Sequence, residues 1–168
     1  MCVGLITQAS AQQFITVDFS SGQLWHTYGD GRQDLYQVVL PKHSVQSQMN
    51  IHEQPVVGRY EQADFKPTWW PTARMRREDN SLPPAVRFGE PRHPIGIYRM
   101  RILWQNPDSH SFWSPVRIHG GAQVQDLNQS KSAGCVRMLD QDIVRLVANL
   151  EQAKLDGDLE VIVTFGFL

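Results

Sequence analysis

The first forty positions of the chain contain an alternating segment followed by short apolar runs and turns. Ile15, Val17 and Phe19 are separated by single polar residues, and this period of two predicts a strand with one buried face. The turn residues SSGQ follow, and after them come the run LWHTY, a GDG turn and the run LYQVVL, which Pro41 ends. Short runs joined by turns rich in Gly, Ser and Asp predict a β-hairpin or meander in this part of the chain.

Further strands are predicted later in the sequence. A strand over IYRMRILW would place Tyr98, Met100, Ile102 and Trp104 on one face and Arg99 and Arg101 on the other. The segment PVRIH predicts a strand that ends at His119. The continuous apolar run in LEVIVTF, near the C-terminal end, suits a buried strand.

One helix is predicted near the C-terminal end. The apolar residues with the spacing i, i+3, i+4, i+7 of a single helix face are Ile143, Leu146, Val147 and Leu150. Asp140 is placed to cap the N-terminus of this helix, and Gly157 lies just past its C-terminus. Because the other segments indicate strands and turns, the sequence predicts one mainly β domain with a single prominent helix.

The composition limits the classes of partner. The chain has 168 residues and a net charge of −1, which is an ordinary size for one domain. A charge this close to zero gives no electrostatic argument for binding nucleic acid or an anionic membrane surface. No stretch of the sequence is long and apolar enough to span a bilayer.

The N-terminal residues indicate export. The first eleven residues, MCVGLITQASA, are mildly apolar and end in the small-x-small pattern of a signal-peptidase site. We interpret residues 1–11 as the remnant of an export signal and residues 12–168 as the exported domain; a floppy N-terminus without a targeting role is the alternative. Removal of Cys2 with the signal would leave Cys135 as a lone thiol. In an oxidising compartment, such a thiol points to a chemical role.

Residues 65–96 differ in composition from the rest of the chain. The segment is dense in Pro, Arg and Trp and is too long for a plain connection, which predicts a functional loop or a small subdomain. Trp69 and Trp70 favour a functional role, because paired tryptophans are costly to expose. We hypothesise that this segment is a lid over a substrate cleft. A surface insertion without a role is the alternative.

His119 and Cys135 are the candidate catalytic pair. They flank a polar loop rich in Gly, Ser and Asn. A thiol is a poor nucleophile until it ionises, and a neighbouring imidazolium lowers its pKa. Gly134 lets a substrate carbonyl approach and leaves backbone N–H groups available to an oxyanion. Arg137 would share a face with Cys135 in an extended segment, where a guanidinium can hold a carboxylate.

Two motifs in this region resemble a known family. IHG at 118–120 and SAGCVRM at 132–138 are similar to the motifs of the L,D-transpeptidases, the YkuD-type domain. The segments KPTWWPTARMRRE, LPPAV, GEPRHPIGIYRM and VDFSSGQLW resemble stretches of the Gram-negative periplasmic members, so the likeness runs from about Ile15 to Phe165. These are cell-wall enzymes with a β-sandwich fold, and the resemblance implies that fold, no cofactor and a site in the periplasm or cell envelope.

The resemblance also implies a role for each motif residue. Cys135 would attack the bond between an L-centre and D-Ala in a peptidoglycan tetrapeptide stem, and His119 would act as its base. The backbone carbonyl of Gly120 would orient the imidazole of His119. Backbone N–H groups of Gly134 and Cys135 would form the oxyanion hole. Two more residues would bind or position the stem: Arg137, through a carboxylate, and Ser132, by bracing the loop.

The acceptor of the acyl group stays open at the level of sequence. An amine acceptor would give a 3→3 cross-link or the attachment of an outer-membrane lipoprotein, whereas water would make the enzyme an L,D-carboxypeptidase or a hydrolase that detaches wall-bound protein. A non-catalytic peptidoglycan-binding domain is a further alternative, against which the intact Cys, His and Arg set argues. The resemblance also implies that carbapenems acylate the cysteine. Trp69 and Trp70 would line the substrate cleft.

Other features of the sequence weigh less. Many family members carry His immediately before the Gly-Cys pair, where this chain has Ala133; the Gram-negative branch often lacks that His. Scattered histidines without short ligand spacing give no metal site, and these are His43, His52, His93 and His110.

Overall fold

The computed structural model describes residues 12–48, 55–104, 117–157 and 160–167. The elements in these ranges are β1 (Gln13–Asp18), β2 (Gln23–Thr27), β3 (Gln33–Gln37), β4 (Leu40–Pro41), α1 (His43–Gln48), β5 (Val56–Phe65), α2 (Ala73–Glu78), β6 (Tyr98–Trp104), β7 (Ile118–His119), a 3-10 turn (Val124–Asp126), β8 (Ser130–Ser132), β9 (Val136–Arg137), α3 (Asp140–Leu155) and β10 (Val161–Gly166). The export prediction for residues 1–11, including Cys2, lies outside the described residues, as do His52 and His110.

Most of the strands join one large sheet. Its eight strands follow the order β3-β2-β1-β10-β5-β6-β7-β9, and β4 pairs with β8 in a separate two-stranded sheet. The pairs β1–β10 and β7–β9 are parallel, and the other neighbours in the large sheet are antiparallel. The predicted mainly β fold with one prominent helix is confirmed.

The strand predictions near both ends of the domain agree with the structure. β1, β2 and β3 form the predicted antiparallel meander. The apolar run near the C-terminal end forms β10, which is buried between β1 and β5 in the middle of the sheet. Val161, Val163 and Phe165 of β10 are buried and Ile162 and Thr164 are half-buried, so neither face is fully open to solvent, which suits a continuous apolar run.

A single apolar core joins the sheet to α3. The largest fully buried apolar side chains are Phe165, Ile15, Leu24, Met100, Ile118, Met138, Ile143, Leu146 and Leu150. The predicted helix face is buried as expected, with Ile143, Leu146, Val147 and Leu150 all inside. Each such side chain contributes about 1.5–3 kcal/mol relative to leaving it exposed. This packing fixes the start of α3 against the strands that precede it.

The predicted cap of α3 is wrong in detail. Leu139 occupies the N-cap position and makes no side-chain capping bond, while Asp140 is the first residue inside the helix. The Asp140 carboxylate instead accepts the backbone N–H groups of Ile97 at 3.2 Å and Gly121 at 2.9 Å. One of these N–H groups lies just before β6 and the other follows β7, and they replace the N–H groups of the helix as partners of the carboxylate.

Residues 65–96 contain structure that the sequence did not predict. Thr72 caps the short helix α2 by accepting the N–H of Met75. Trp69 and Val86 exchange both backbone hydrogen bonds at 2.8 Å, which closes the chain between them into a loop. Among the helices in the described ranges, none is both long and apolar enough to cross a membrane.

Candidate active site

Two short parallel strands bring the IHG and SAGCVRM motifs together. β7 pairs with β9, so that Ile118 lies opposite Val136 and His119 lies opposite Arg137. The bond from the Met138 N–H to the His119 carbonyl, at 2.8 Å, continues this pairing. Side chains alternate along a strand, and Ile118 and Val136 both point into the core. His119 and Arg137 therefore project from the other face of the sheet.

Cys135 lies on the same face as His119. It directly precedes Val136, whose N–H donates to the Arg117 carbonyl at 3.0 Å. By alternation the Cys135 side chain points away from the core, two positions before Arg137, which is about 6.6 Å along the strand. The two residues that flank a loop in the sequence thus lie on one face of the sheet, with His119 on β7 and Cys135 directly before β9.

The imidazole of His119 is buried and held by a carbonyl group. Only 5% of the residue is exposed, and Nδ1 lies 2.7 Å from the carbonyl oxygen of Gly120. Because a carbonyl only accepts, Nδ1 carries the proton in the neutral ring and Nε2 is left with the lone pair. Burial lowers the pKa of His119 to about 4; hydrogen bonds with Gly120 and Ile95 oppose this shift, and the Arg137 charge adds to it.

The thiol of Cys135 is shifted in the opposite direction. Burial raises the pKa of Cys135, against a backbone hydrogen bond from Arg117 and the charges of Arg137, Arg117 and Arg99. With His119 neutral as well, the resting groups on this face are an un-ionised thiol and a neutral imidazole. The sequence argument that an imidazolium lowers the thiol pKa does not hold for this resting state, because burial disfavours both charged forms.

The loop before Cys135 is held by one hydroxyl group. Ser132 is buried, and its Oγ donates to the carbonyl oxygen of Cys135 and accepts the Gly134 N–H at 3.2 Å. Gly134 has a φ of +153°, a conformation open mainly to glycine, although nothing lies within 4 Å of the Cβ that another residue would add. The loop geometry therefore requires glycine at 134 through its backbone.

The turn after His119 is packed against the start of α3. A Cβ on Gly96 or on Gly120 would come within 2.1 Å of the Asp140 Oδ1. Glycine at both positions lets the two loops reach the same carboxylate. Asp140 therefore binds Gly121, the residue directly after the Gly120 whose carbonyl oxygen faces His119. Its predicted capping role did not suggest this connection.

Two charged residues near the site were missed from the sequence. Asp64 accepts from Arg99 at 2.7 Å and from Arg101, and Arg117 precedes β7. The alternation of IYRMRILW correctly placed Arg99 and Arg101 on the face opposite the core. Asp64 gave no signal, because the strand that carries it was not predicted.

The other sequence-predicted residues are placed as follows. Trp69 is half-buried and paired with Val86, whereas Trp70 is 67% exposed. Their part in substrate binding stays a prediction. In the part of the chain that the structure describes, no group of three or more His, Cys, Asp or Glu side chains is arranged to hold a metal ion.

The comparison with protein families is decisive for identity. Residues 12–163 match the YkuD family, described as the L,D-transpeptidase catalytic domain. The chain belongs to the YkuD family. This confirms the resemblance found on the IHG and SAGCVRM motifs, and the Gram-negative branch stays a resemblance. Among curated proteins, none matches the sequence.

Solved structures share the fold of this YkuD domain. A structure described as the carbamoyl enzyme formed by Ldtfm and avibactam has a TM-score of 0.55 at 17% identity, over 90% of this chain and 48% of the other. An L,D-transpeptidase from Mycobacterium smegmatis has a TM-score of 0.51 at 12% identity, over 90% of this chain and 58% of the other. At these identities the likeness shows the fold. The YkuD domain described here spans about half the length of these two chains.

Proposed function

We propose that this YkuD domain is a cysteine-dependent L,D-transpeptidase that acts on peptidoglycan stem peptides. The parallel pairing of β7 with β9 carries the proposal, because it brings His119 and Cys135 onto one face of adjacent strands. A thiol beside an imidazole is sufficient for acyl transfer. Membership of the family supports a cell-wall substrate.

The first half-reaction would form an acyl-enzyme. The sulfur of Cys135 attacks the carbonyl carbon between an L-centre and D-Ala in a tetrapeptide stem, and the thiol proton passes to Nε2 of His119. The tetrahedral intermediate collapses, the carbon–nitrogen bond breaks, and the same proton goes to the departing amine of D-Ala. This leaves a thioester on Cys135 and a neutral imidazole.

The second half-reaction would release the stem to an acceptor. An acceptor amine gives its proton to His119 as its nitrogen attacks the thioester carbon, and the carbon–sulfur bond breaks. The proton then returns to the sulfur of Cys135. A stem amine gives a 3→3 cross-link and a lipoprotein amine gives a protein–wall bond, whereas water would give L,D-carboxypeptidase activity.

The neighbouring groups would support these steps without taking part in bond changes. The Gly120 carbonyl fixes the tautomer that leaves Nε2 as the base. The Gly134 N–H faces the Ser132 hydroxyl in the resting loop. We therefore assign the oxyanion chiefly to the backbone N–H of Cys135, which Gly134 joins when the Ser132 hydroxyl turns away.

Arg137 would bind a carboxylate of the stem. Its Nε atom is buried without a hydrogen-bond partner among the described residues. Arg137 also lies directly opposite His119 on the neighbouring strand. A buried guanidinium nitrogen without a partner is unfavourable, and a substrate carboxylate would satisfy it. Because such stems lie outside the cytoplasm, we also propose that the domain works in the periplasm or cell envelope.

Acylation by a carbapenem tests the proposal. The strained lactam is a carbonyl electrophile like the stem bond, so we expect one drug mass to be added to the intact protein, and peptide mapping to place it on Cys135. Cys135→Ala and His119→Ala should both abolish the adduct and the turnover of stem peptides, because the two groups act as one unit. Cys2→Ala is the matched control and should be acylated like the unaltered protein.

The products identify the acceptor. Mass spectrometry of stem peptides incubated with and without an added amine should show a transfer product only when the amine is present. Hydrolysis as the sole outcome in both samples would favour the carboxypeptidase. An adduct that persists in folded Cys135→Ala protein would overturn the proposal.

A further inference from the structure

The two edges of the large sheet differ in how their backbone groups are used. At one edge, β9 is covered by a neighbouring segment, because Val39 and Arg137 exchange both backbone hydrogen bonds at 2.8 and 2.9 Å. At the other edge, β3 pairs with β2 and with no further strand of the part of the chain that the structure describes. Within that part of the chain, β3 is therefore the open edge of the sheet.

The hydrogen bonds of the β2–β3 hairpin show which backbone groups of β3 face outward. At the turn, the Tyr28 N–H donates to the Arg32 carbonyl at 2.9 Å, and at the far end the Val38 N–H donates to the Gly22 carbonyl at 3.0 Å. Along an antiparallel strand, residues that bond to the partner strand alternate with residues whose backbone groups point away from it. The β3 residues whose N–H and C=O groups point away from β2 are Gln33, Leu35 and Gln37.

These outward residues lack the features that usually protect an edge strand. Their backbone N–H and C=O groups form no hydrogen bond with any described residue, and their side chains are exposed and uncharged. The strand contains no Lys, Pro or bulge, which are the features that discourage pairing with another chain. Leu35 is 47% exposed and lies opposite the half-buried Trp25, so the edge also presents apolar surface.

The β3 edge is complementary to a second copy of itself. An antiparallel pairing with two-fold symmetry about Leu35 places Leu35 opposite Leu35 of the second copy, and Gln33 opposite Gln37 of the second copy. Each of these opposed pairs would exchange two hydrogen bonds, so every outward N–H and C=O group of both strands would gain a partner. Leu35 and Trp25 of the two copies would form one apolar row across the junction.

The charges near the edge permit this approach. Asp34 is the one charged residue of β3, and it lies on the face opposite Leu35, where it binds Arg145 at 2.7 Å. In the centred pairing, Asp34 would lie opposite Tyr36 of the second copy, so the two carboxylates would not oppose each other. The net charge of the chain is −1, and long-range repulsion between two copies is therefore weak.

We infer that the β3 edge is a homodimer interface, at which two copies of the domain join their sheets into one continuous sheet. One pair of strands is a small interface compared with that of an obligate dimer, so the association is reversible. His119 and Cys135 lie at the opposite edge of the sheet, on β7 and just before β9. The two candidate active sites would therefore lie at the outer ends of the joined sheet and stay open. The inference does not depend on the proposed function.

Amide hydrogen exchange at different protein concentrations tests the interface residue by residue. The N–H groups of Gln33, Leu35 and Gln37 should exchange about tenfold more slowly in concentrated than in dilute protein, because only the dimer gives them acceptors. The N–H groups of Asp34 and Tyr36 should be protected at both concentrations, because they bond to β2. Sedimentation velocity from the micromolar to the millimolar range would give the dissociation constant of the dimer. A monomer throughout this range, or exchange at the three outward groups that does not change with concentration, would overturn the inference.

Leu35→Pro is the deciding variant. Proline removes an N–H group that the single domain does not use, and such a position on an edge strand tolerates it. The change removes the two central hydrogen bonds of the dimer, so the dissociation constant should rise by about tenfold or more. Leu35→Lys is a second variant that keeps every backbone N–H and places two like charges opposite each other. Circular dichroism would verify that each variant is folded.

Leu103→Lys is the matched control. Leu103 is 48% exposed, almost the same as Leu35, but it lies on β6 inside the sheet, so this change should leave the dissociation constant unaltered. A dimer that persists in folded Leu35→Pro or Leu35→Lys protein, or one that Leu103→Lys weakens equally, would overturn the inference. Acylation of Leu35→Pro protein by a carbapenem should match that of the unaltered protein, because the β3 edge is remote from Cys135. A dimer that forms no carbapenem adduct would count against the proposed function alone.

Discussion

At the scale of single residues, His119 and Cys135 show how burial shifts the protonation of the two groups that we propose as a catalytic pair. The same loss of solvent lowers the pKa of the imidazole and raises the pKa of the thiol. An ion pair would place two charges in this environment before any substrate arrives. The proton is therefore expected to move during attack on the carbonyl, so that charge develops only where the oxyanion is stabilised.

The pH dependence of acylation follows from these shifts. His119 acts as a base only when Nε2 is unprotonated, and its pKa of about 4 keeps it so well below the ordinary value of 6.5. The rate constant for acylation by a carbapenem should stay level as the pH falls through 6.5 and then drop near pH 4. On the alkaline side, the raised thiol pKa means that no increase is expected near 8.5, the pKa of an ordinary cysteine.

Rapid mixing with mass-spectrometric detection would measure this profile, with circular dichroism used to retain only the pH values at which the protein is folded. An acid limb between pH 6 and 7 would indicate an exposed imidazole, in conflict with the burial of His119. A rate that rises through pH 8 to 9 would indicate a preformed thiolate as the reacting species.

At the scale of elements, α3 holds the catalytic turn through its first residue. The Asp140 carboxylate accepts the N–H of Gly121, in the turn that presents the Gly120 carbonyl to His119, and the N–H of Ile97, just before β6. Asp140→Ala removes both bonds, and we expect the acylation rate to fall by about tenfold, which corresponds to roughly 1.4 kcal/mol of positioning. Asp140→Asn keeps an acceptor oxygen and should retain most of the rate.

Asp142 supplies the control for this experiment. It lies in the same first turn of α3, so Asp142→Asn removes the same charge from the helix N-terminus without touching the two loops. NMR of the His119 ring should show a changed tautomer balance in Asp140→Ala protein alone. Equal losses of rate in Asp140→Asn and Asp140→Ala would mean that the charge matters and the loop contacts do not.

The loop closed by Trp69 and Val86 permits a clean test of the lid hypothesis. These two residues exchange both backbone hydrogen bonds, which is the geometry that a two-residue hairpin turn closes. Replacing residues 70–85 by Asn-Gly removes Trp70 and α2 but leaves Pro94–Gly96, which pack against Gly121. We expect a folded protein that still reacts with a carbapenem and that loses about tenfold in kcat/KM for stem peptides, through fewer substrate contacts.

A substitution in the turn between β2 and β3, far from the site, is the control for this replacement. Gly31→Ala strains the β2–β3 turn without a contact near the site, because Gly31 has a φ of +86° and open space around it. It should reduce stability while stem turnover stays at its original level. Full stem turnover after replacement of residues 70–85 would make the segment a surface insertion.

The success of sequence reasoning differs between elements for a physical reason. α3 and β10 carry their patterns within one continuous segment, and both were predicted. β5 was missed because a bulge between Tyr60 and Gln62 shifts its alternation and its second half is polar. The motifs marked His119 and Cys135 as candidates, and their role as a catalytic pair stays a prediction. The ion pair of Asp64 with Arg99 depends on the register between β5 and β6, which a local pattern does not encode.

At the scale of the whole molecule, a second buried histidine links stability to pH. His26 is fully buried on β2, its Nε2 faces the Gln13 Oε1 at 2.7 Å, and its Nδ1 has no hydrogen-bond partner among the described residues. Burial lowers the pKa of His26 to about 4, against the charge of Asp34. His26 is far from the catalytic pair in strand order, so its titration acts on folding and not on the reaction.

The sign of this linkage predicts loss of stability in mild acid. The unfolded chain binds a proton at His26 near pH 6.5, whereas the folded protein resists it until about pH 4. The free energy of unfolding should therefore fall as the pH drops from 6.5 to 4, by about 1.4 kcal/mol per pH unit and about 3 kcal/mol in all from this residue. His119 has a similar shift and should add a comparable amount.

Urea unfolding at several pH values between these limits measures the effect, with His26→Gln as the variant. Its amide can still reach Gln13 but does not titrate, so the variant should lose less stability per pH unit than the unaltered protein. His43→Gln is the control, because His43 is exposed and its replacement should leave the slope unaltered. Parallel pH dependences for His26→Gln and the unaltered protein would show that the His26 ring is already charged or hydrated in the folded state.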